Sequence, residues 1–417
     1  MRHDHRARLP SIPNEMENPA ALALLPDDLL ADILTRLAPR DLAMAMGVCK
    51  AWRAVIDAHR LLRVDLLPLS LGGIFINFNG QVFSEYFFEP STTPAISSMS
   101  DYVPHSPRFW RQVVSHCNGL LLLSENYVVN PATRWWAQLP TPLRPKSKEV
   151  SYFNYLVFDP ILSSHYEVFS VPYFGYHGSI EEYEWPPSSC TLQVFSSRTG
   201  GWEERLFVRD GEDAEIVSDM FLRSAVYYRR ALYVRYYTPN IVLRISLLDG
   251  KYRAIKPPSD TQINEILSLG KSKDGVYLAS VGSATLRIWV LVESCGQAEW
   301  LPKYRADLKW KLCEKLGSSW LLQDVNYYNE YNGLGIDKEE AEMEARAEID
   351  QGPFLFLGFH PFEEVVFLSR SLRWGLAYHL TSSKIEYLGY QYPTGYNHFI
   401  AECEDITDAY PYTPCSM

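Results

Sequence analysis

Cysteine is scarce in this 417-residue sequence: seven are scattered along it, with no CxxC pair and no recurrent spacing. Structural zinc sites and disulfide frameworks both need regular cysteine spacing, so neither is expected. A reducing compartment, cytoplasm and/or nucleus, is the corresponding expectation. No apolar run reaches the roughly 18 residues a membrane span needs, so no membrane partner is expected. The stretch from Met1 to Asn14 has His and Arg but lacks the apolar core of a secretory signal. Residues 1–19 are therefore expected to be a flexible tail, where His3 and His5 have no fixed geometry for a metal. Positive charge is the minority, 39 Lys and Arg against 50 Asp and Glu for a net −11. Nucleic-acid binding needs clustered bases to neutralise phosphate, which argues against that class. Also missing are a Gly-rich phosphate loop and a His-Glu-x-x-His pattern, so no cofactor, metal or catalytic residue is expected.

Aromatic residues, by contrast, are plentiful at 14% of the chain, including 27 Tyr and 11 Trp. Strands favour such side chains, which suggests a β-rich body. Two regimes of patterning divide the sequence. Residues 20–65 show helical periodicity. From residue 66 to 417, short apolar-aromatic runs alternate with Gly, Pro, Asn, Asp and Ser turns.

In the helical part, Pro26 and Pro39 suit the first turn of a helix, and Asp27 and Asp28 favour its positive end. Leu29, Ile33 and Leu37 recur at i, i+4, i+8, with Leu30 and Leu34 widening the stripe. A second short helix is expected near Pro39, carrying Leu42, with Gly47 interrupting it. A third is expected over about Val48 to Ala58, with Cys49, Trp52, Val55 and Ile56 on its apolar side. Three helices this short bury a very small core, and such modules usually lean on a partner.

The β part repeats a grammar of strand, strand, polar turn and a strand led by an aromatic. One unit runs from Gly119-Leu-Leu-Leu-Leu through Val128-Val to Trp135-Trp. Others run from Ala231 through Val242 to Tyr252, and from Gly275 through Leu286 to Trp300. Val194-Phe before Gly200-Gly201-Trp202 matches half a unit, and Glu364 to Leu388 holds a fifth. A spacing of about 50 residues is that of propeller blades of the kelch kind. The leftover segments around Gly72–Phe78 and Gln81–Phe88 are expected to join chain-end residues near His398–Glu402 and close a sixth blade. An irregular β-sandwich is the alternative.

The segment Leu25-Pro-Asp-Asp-Leu-Leu-Ala-Asp-Ile-Leu-Thr-Arg-Leu, then Asp41-Leu42 and Val48-Cys-Lys-Ala-Trp-Arg, resembles the F-box. It departs at Ala38, where many members have Pro, and at Gly47, where a larger residue is common. Ser115-His-Cys-Asn-Gly-Leu-Leu-Leu, Val129-Asn-Pro-Ala-Thr, Ile288-Trp-Val-Leu and Ala377-Tyr-His-Leu resemble the F-box-associated domains of plant F-box proteins. The fold expected is thus mainly β with an N-terminal α module: a three-helix F-box followed by a kelch-like, F-box-associated β-propeller of six blades. The resemblance implies a non-catalytic adaptor subunit of a ubiquitin ligase, in which the F-box binds a Skp-type adaptor and through it a cullin scaffold. The β domain would hold an unknown target protein. Leu25, Pro26, Leu29, Leu30, Ile33, Leu34, Leu37, Leu42, Val48, Cys49 and Trp52 are the expected Skp contacts. The Leu stripe is expected to serve partly as internal core and partly as partner surface, and Cys49 to be a small buried hydrophobe.

Two aromatic insertions supply candidate target contacts, namely Tyr176, Tyr183 and Trp185 in the first and Tyr327, Tyr328 and Tyr331 in the second. Tyr and Trp on the loops of a rigid scaffold are common interaction residues. Asp337 to Asp350 is a strongly acidic helix former, expected as a solvated insertion. His116 beside Cys117 offers no nucleophile and base, because neighbours on a strand point to opposite faces. A scaffold acting outside degradation and a propeller hydrolase are the competing functions. The latter requires convergent acids, His or metal ligands at the propeller's mouth.

Overall fold

In the computed structural model the described residues are 26–37, 42, 45, 48–59, 61, 70–91, 96, 102–104, 111–142, 150–174, 183–211, 215–217, 221–238, 240–261, 266–272, 275–282, 284–294, 297–308, 319–323, 352–393 and 405–415. The chain divides into two compact units, Met1–Leu67 with Met417, and Pro68–Ser416. The tail at 1–19 and the acidic segment at 337–350 lie outside the described residues.

The first unit contains helices α1 (Asp27–Leu34) and α2 (Lys50–Ala58), with Leu42 and Ala45 also in helical conformation between them. Pro26 is the N-cap of α1 and its carbonyl accepts from the amides of Leu29 and Leu30, each at 3.0 Å. Asp27 and Asp28 fill the first turn, where the helix dipole favours negative charge.

The second unit is built from strands. It starts with β1 (Gly73–Phe78) and β2 (Glu85–Phe88). Next come β3 (Val113–Cys117), β4 (Leu120–Leu123), β5 (Tyr127–Asn130) and β6 (Trp135–Gln138), then β7 (Val150–Val157), β8 (Glu167–Phe174), β9 (Tyr183–Trp185), β10 (Ser189–Ser196) and β11 (Gly201–Arg209). After β12 (Glu215–Val217) follow β13 (Phe221–Tyr228), β14 (Ala231–Thr238), β15 (Ile241–Ser246) and β16 (Lys251–Ile255). The next group is β17 (Leu267–Ser272), β18 (Gly275–Val281), β19 (Thr285–Ser294) and β20 (Gln297–Asp307), followed by β21 (Leu321–Gln323). The last are β22 (Phe354–Phe359), β23 (Val365–Arg370), β24 (Trp374–His379), β25 (Lys384–Tyr390) and β26 (Ile406–Tyr412).

β3–β6, β17–β20 and β22–β25 are four-stranded sheets in sequence order. An eight-stranded sheet is two such arrays, β7-β8-β10-β11 and β13-β14-β15-β16, joined where β11 pairs in parallel with β16 at Val208↔Lys251 and Arg209↔Tyr252. The remaining four-stranded sheet has the order β21-β2-β1-β26 and unites both ends of the unit. The closing strand is therefore Ile406–Tyr412, later than expected; residues 398–402 lie outside the described set. Its Tyr412 stands opposite Gly73 and its Pro411 opposite Ile74, which places Ile406 and Tyr412 in the apolar clusters on either side of the sheet. The short β21 was not anticipated.

Turn chemistry fixes the register of the hairpins. Asn118 and Gly119, between β3 and β4, have φ of 45° and 93°, the left-handed pair that a two-residue hairpin turn requires. A Cβ on Gly119 would also meet the Cys415 backbone nitrogen at 2.7 Å, so the end of the chain packs on this turn.

The first strands of the arrays neighbour one another in a closed succession: β26 lies against β3, β3 against β7, β7 against β13, β13 against β17, β17 against β22 and β22 against β26. Apolar cores fill the spaces between arrays. One cluster joins Tyr233 and Val242 to Leu278, Trp289 and Trp300, and another joins Ile288 to Leu368, Trp374 and Tyr387. Polar links add direction. Asn77 of β1 donates to the Val113 carbonyl at 2.8 Å, Ser84 donates to Asn77 at 2.5 Å, and the Val113 amide donates back to Ser84 at 2.8 Å. Arg111, only 2% exposed, pairs with Glu125 at 3.0 Å and donates to the carbonyls of Val103 and Pro104. Those bonds compensate the burial of its charge.

Candidate functional site

Two features of the molecule could do chemistry or make contacts, one in each unit. In the helical unit, Leu30, Ala31, Leu34, Leu42, Ala45, Val55 and Ile56 form the internal core, with Trp52 half-buried against it. The helical repeat places a second apolar row beside this one. Leu29 is 56% exposed, and Ile33 and Leu37 follow it on the same face, also exposed. Val48, just before α2, is 65% exposed. The expected stripe is thus two rows with different surroundings, and Leu30, Leu34 and Leu42 support the outer face from behind. Cys49 is exposed, not the buried hydrophobe expected; it lies just before the first residue of α2, outside the helix. Pro26 is exposed at the helix start, and Leu25 lies outside the described residues.

Four uncovered aliphatic side chains on so small a unit form the kind of patch that marks a contact surface. Each would contribute about 1.5–3 kcal/mol if fully covered. The charged neighbours do not compete for this role. The Arg36–Asp32 pair at 2.7 Å is solvent-exposed, and pairs of that kind add little.

Residues 22–63, which span this surface, match the F-box-like family model. This unit is an F-box-like domain. The chain is similar to an F-box protein of Arabidopsis thaliana, 27% identical over 37% of this chain and 38% of that one. It is also similar to a putative F-box/kelch-repeat protein of the same plant, 26% identical over 43% of this chain and 46% of that one. These matches span less than half the length of either relative. A solved chain from a study of two prolyl endopeptidases covers 88% of this chain and 52% of its own length, at 10% identity and a TM-score of 0.29, too distant to carry an argument.

In the β unit, the first strands enclose a cavity of about 490 Å³. Residues from β3, β7, β13, β17, β22 and β26 all line it. Lys271, near the end of β17, donates to the Asn118 side-chain oxygen at 2.9 Å, and Asn118 in turn donates to the Phe158 carbonyl at 2.7 Å. His116 packs edge-on against Tyr410, with ring centroids 5.4 Å apart. Burial, aided by the Lys271 charge, pushes its pKa down to about 3, so the imidazole is neutral. Cys117 is buried, donating to the Phe158 carbonyl at 3.2 Å and accepting from its amide at 3.3 Å. Burial raises its pKa and holds it as a thiol. Among the described residues His116 makes no hydrogen bond to Cys117 or Ser224, and no group of three His, Cys, Asp or Glu is placed to hold a metal ion.

Of the expected target contacts, Trp185 is corrected. It is 5% exposed, its ring lies 5.5 Å from that of Tyr236, and it sits with Leu192, Leu243 and Ile245 under the strands. The pairing of β9 with β12 turns this segment into a small sheet that folds its indole inward. Tyr183 lies in β9, paired with Val217. Tyr176, Tyr327, Tyr328 and Tyr331 fall outside the described residues.

The cavity lining went unread in the sequence. The repeat grammar captures the second to fourth strands of each array, where alternation and the leading aromatic are strong. The first strand, such as Leu267-Ser-Leu-Gly-Lys-Ser272, has only two large apolar residues to mark it. A lysine closing an otherwise apolar and small-residue strand is the signal that could have drawn attention to Lys271.

Proposed function

We propose that this chain is a substrate-recognition adaptor of a Skp–cullin–F-box ubiquitin ligase, acting in the cytoplasm and/or nucleus. F-box domains in general bind a Skp-type adaptor, and the observation that carries the reading here is the exposed row of Leu29, Ile33, Leu37 and Val48 on a unit matched by the F-box-like family. Covering that row removes apolar area from water and gives the small helical unit the partner it otherwise lacks. The β unit is read as a six-bladed propeller; the succession of six first strands around one cavity supports this. A rigid body of that kind would hold a target protein at a set distance from the ubiquitin-charged enzyme. The catalytic gain is then proximity, with no reacting group needed in this chain.

The test is capture of a plant Skp-type adaptor and cullin by the full chain. Leu29→Asp with Ile33→Asp should lower capture at least tenfold while the melting transition of the β unit stays in place. Unchanged capture by this double variant would overturn the reading.

A further inference from the structure

We propose that the cavity enclosed by the six first strands is a binding site for a small organic anion with a flat aromatic body. The proposal rests on the β unit alone and is independent of the adaptor reading.

Size comes first. A volume of about 490 Å³ lies within the range of small-molecule sites, roughly 300–1,000 Å³, and is far more than one or two waters occupy. The walls are of the right kind: Tyr155, Tyr227, Tyr228, Phe356, Phe359 and Tyr410 present rings from four different strands. Ring faces and edges on several sides favour a planar guest over a flexible chain.

Charge selects the sign of the guest. Lys271 lines the cavity and is bonded to a neutral amide oxygen, that of Asn118. Among the described residues no carboxylate stands within ion-pair distance of it. His116, its neighbour on the wall, is neutral, so the positive charge of the lining is that of Lys271. The lining also holds one carboxylate, Asp408, whose charge is felt by Tyr155 and Tyr410. Part-buried Lys271 thus pairs with no carboxylate at contact distance among the described residues, and an anionic guest would supply that partner. A carboxylate on the guest would accept a charge-assisted hydrogen bond from Lys271, stronger than the neutral one it makes now. The Ser224 hydroxyl, buried on the same cavity with no partner among the described residues, is a second open hydrogen-bonding group for polar atoms of the guest. Nothing about the outer rim explains why a lysine, a neutral histidine and an unbonded serine should share one aromatic chamber; a bound anion does.

The probes are 2-naphthoate and its neutral analogue 2-naphthamide, titrated calorimetrically into the purified full chain. The acid should bind at least tenfold more tightly than the amide, a difference of about 1.4 kcal/mol. Lys271→Gln should remove that preference, while Lys271→Arg, which keeps the charge, should retain it. Equal affinity of the wild-type chain for acid and amide, or failure of the acid to bind at millimolar concentration, would overturn the proposal. So would a preference that survives in Lys271→Gln. The first two outcomes need no variant, so a folding defect at position 271 cannot hide the answer.

Discussion

His116 shows how much one side chain depends on its surroundings. On a free strand it would titrate near 6.5. Here burial and the nearby Lys271 ammonium push it down to about 3. The unfolded chain therefore takes up a proton below pH 6.5 that the folded chain refuses. Stability from this residue is fully present above pH 6.5 and drains away as the pH falls towards 3. At pH 5.5 the loss is about 1.4 kcal/mol relative to pH 8. Replacing His116 by Gln should flatten this slope, measured as chemical denaturation at pH 8 and pH 5.5; an unchanged slope would show that His116 is not the group responsible. The sequence revealed that His116 and Cys117 face opposite sides of a strand, and the structure has Cys117 in the buried layer and His116 on the cavity. It could not reveal the cavity itself, because Lys271 is 153 residues from its bonding partner Asn118. Trp185 failed for a related reason. Whether an indole in a Pro-rich segment faces solvent or core depends on strands it meets later, here through Tyr236.

At the scale of elements, α1 has two apolar rows with opposite duties. Leu30 and Leu34 hold the unit together; Leu29 and Ile33 hold nothing within it. Leu34→Ala should cost about 2–5 kcal/mol, the range for emptying a buried leucine site, and expose the amides of α1 and α2 to hydrogen exchange in the full chain. Leu29→Ala should leave that exchange within about 0.5 kcal/mol of the parent, as surface changes do. Equal protection in both variants would contradict the assignment of rows. The amphipathic period placed these residues on one broad face, but only packing separated the row that meets α2 from the row that does not. Hairpins were legible where the turn advertises itself. Asn118-Gly119 does; Arg229-Arg230, with φ of 45° and 61° between β13 and β14, does not, because neither residue favours the left-handed region. The strand around Gly72–Phe78 was legible as a continuous apolar run, and in the structure all six residues of β1 are buried.

For the whole molecule, the decisive arrangement is the sheet that β26 shares with β1 and β2. Removing residues 405–417 deletes the strand that follows β22 and precedes β3 in the inner succession, and leaves β1 with an open edge. The truncated chain should lose its cooperative melting transition and become sensitive to limited proteolysis throughout the β unit. Removing residues 1–67, the separate helical unit, should leave that transition in place. Retention of the transition without β26 would mean that closure of the sheet contributes little. The same arrangement sets a timetable for synthesis. The hydroxyl of Thr407 bonds to the Asn77 carbonyl across 330 residues of sequence. At roughly 5–20 residues per second on the ribosome, β1 waits on the order of tens of seconds for its partner to emerge. During that interval the helical unit is already outside, whereas an all-buried strand, paired with β2 on one side, keeps its other edge open beside a growing series of arrays. The nascent β unit is therefore most in need of a chaperone just before β26 arrives.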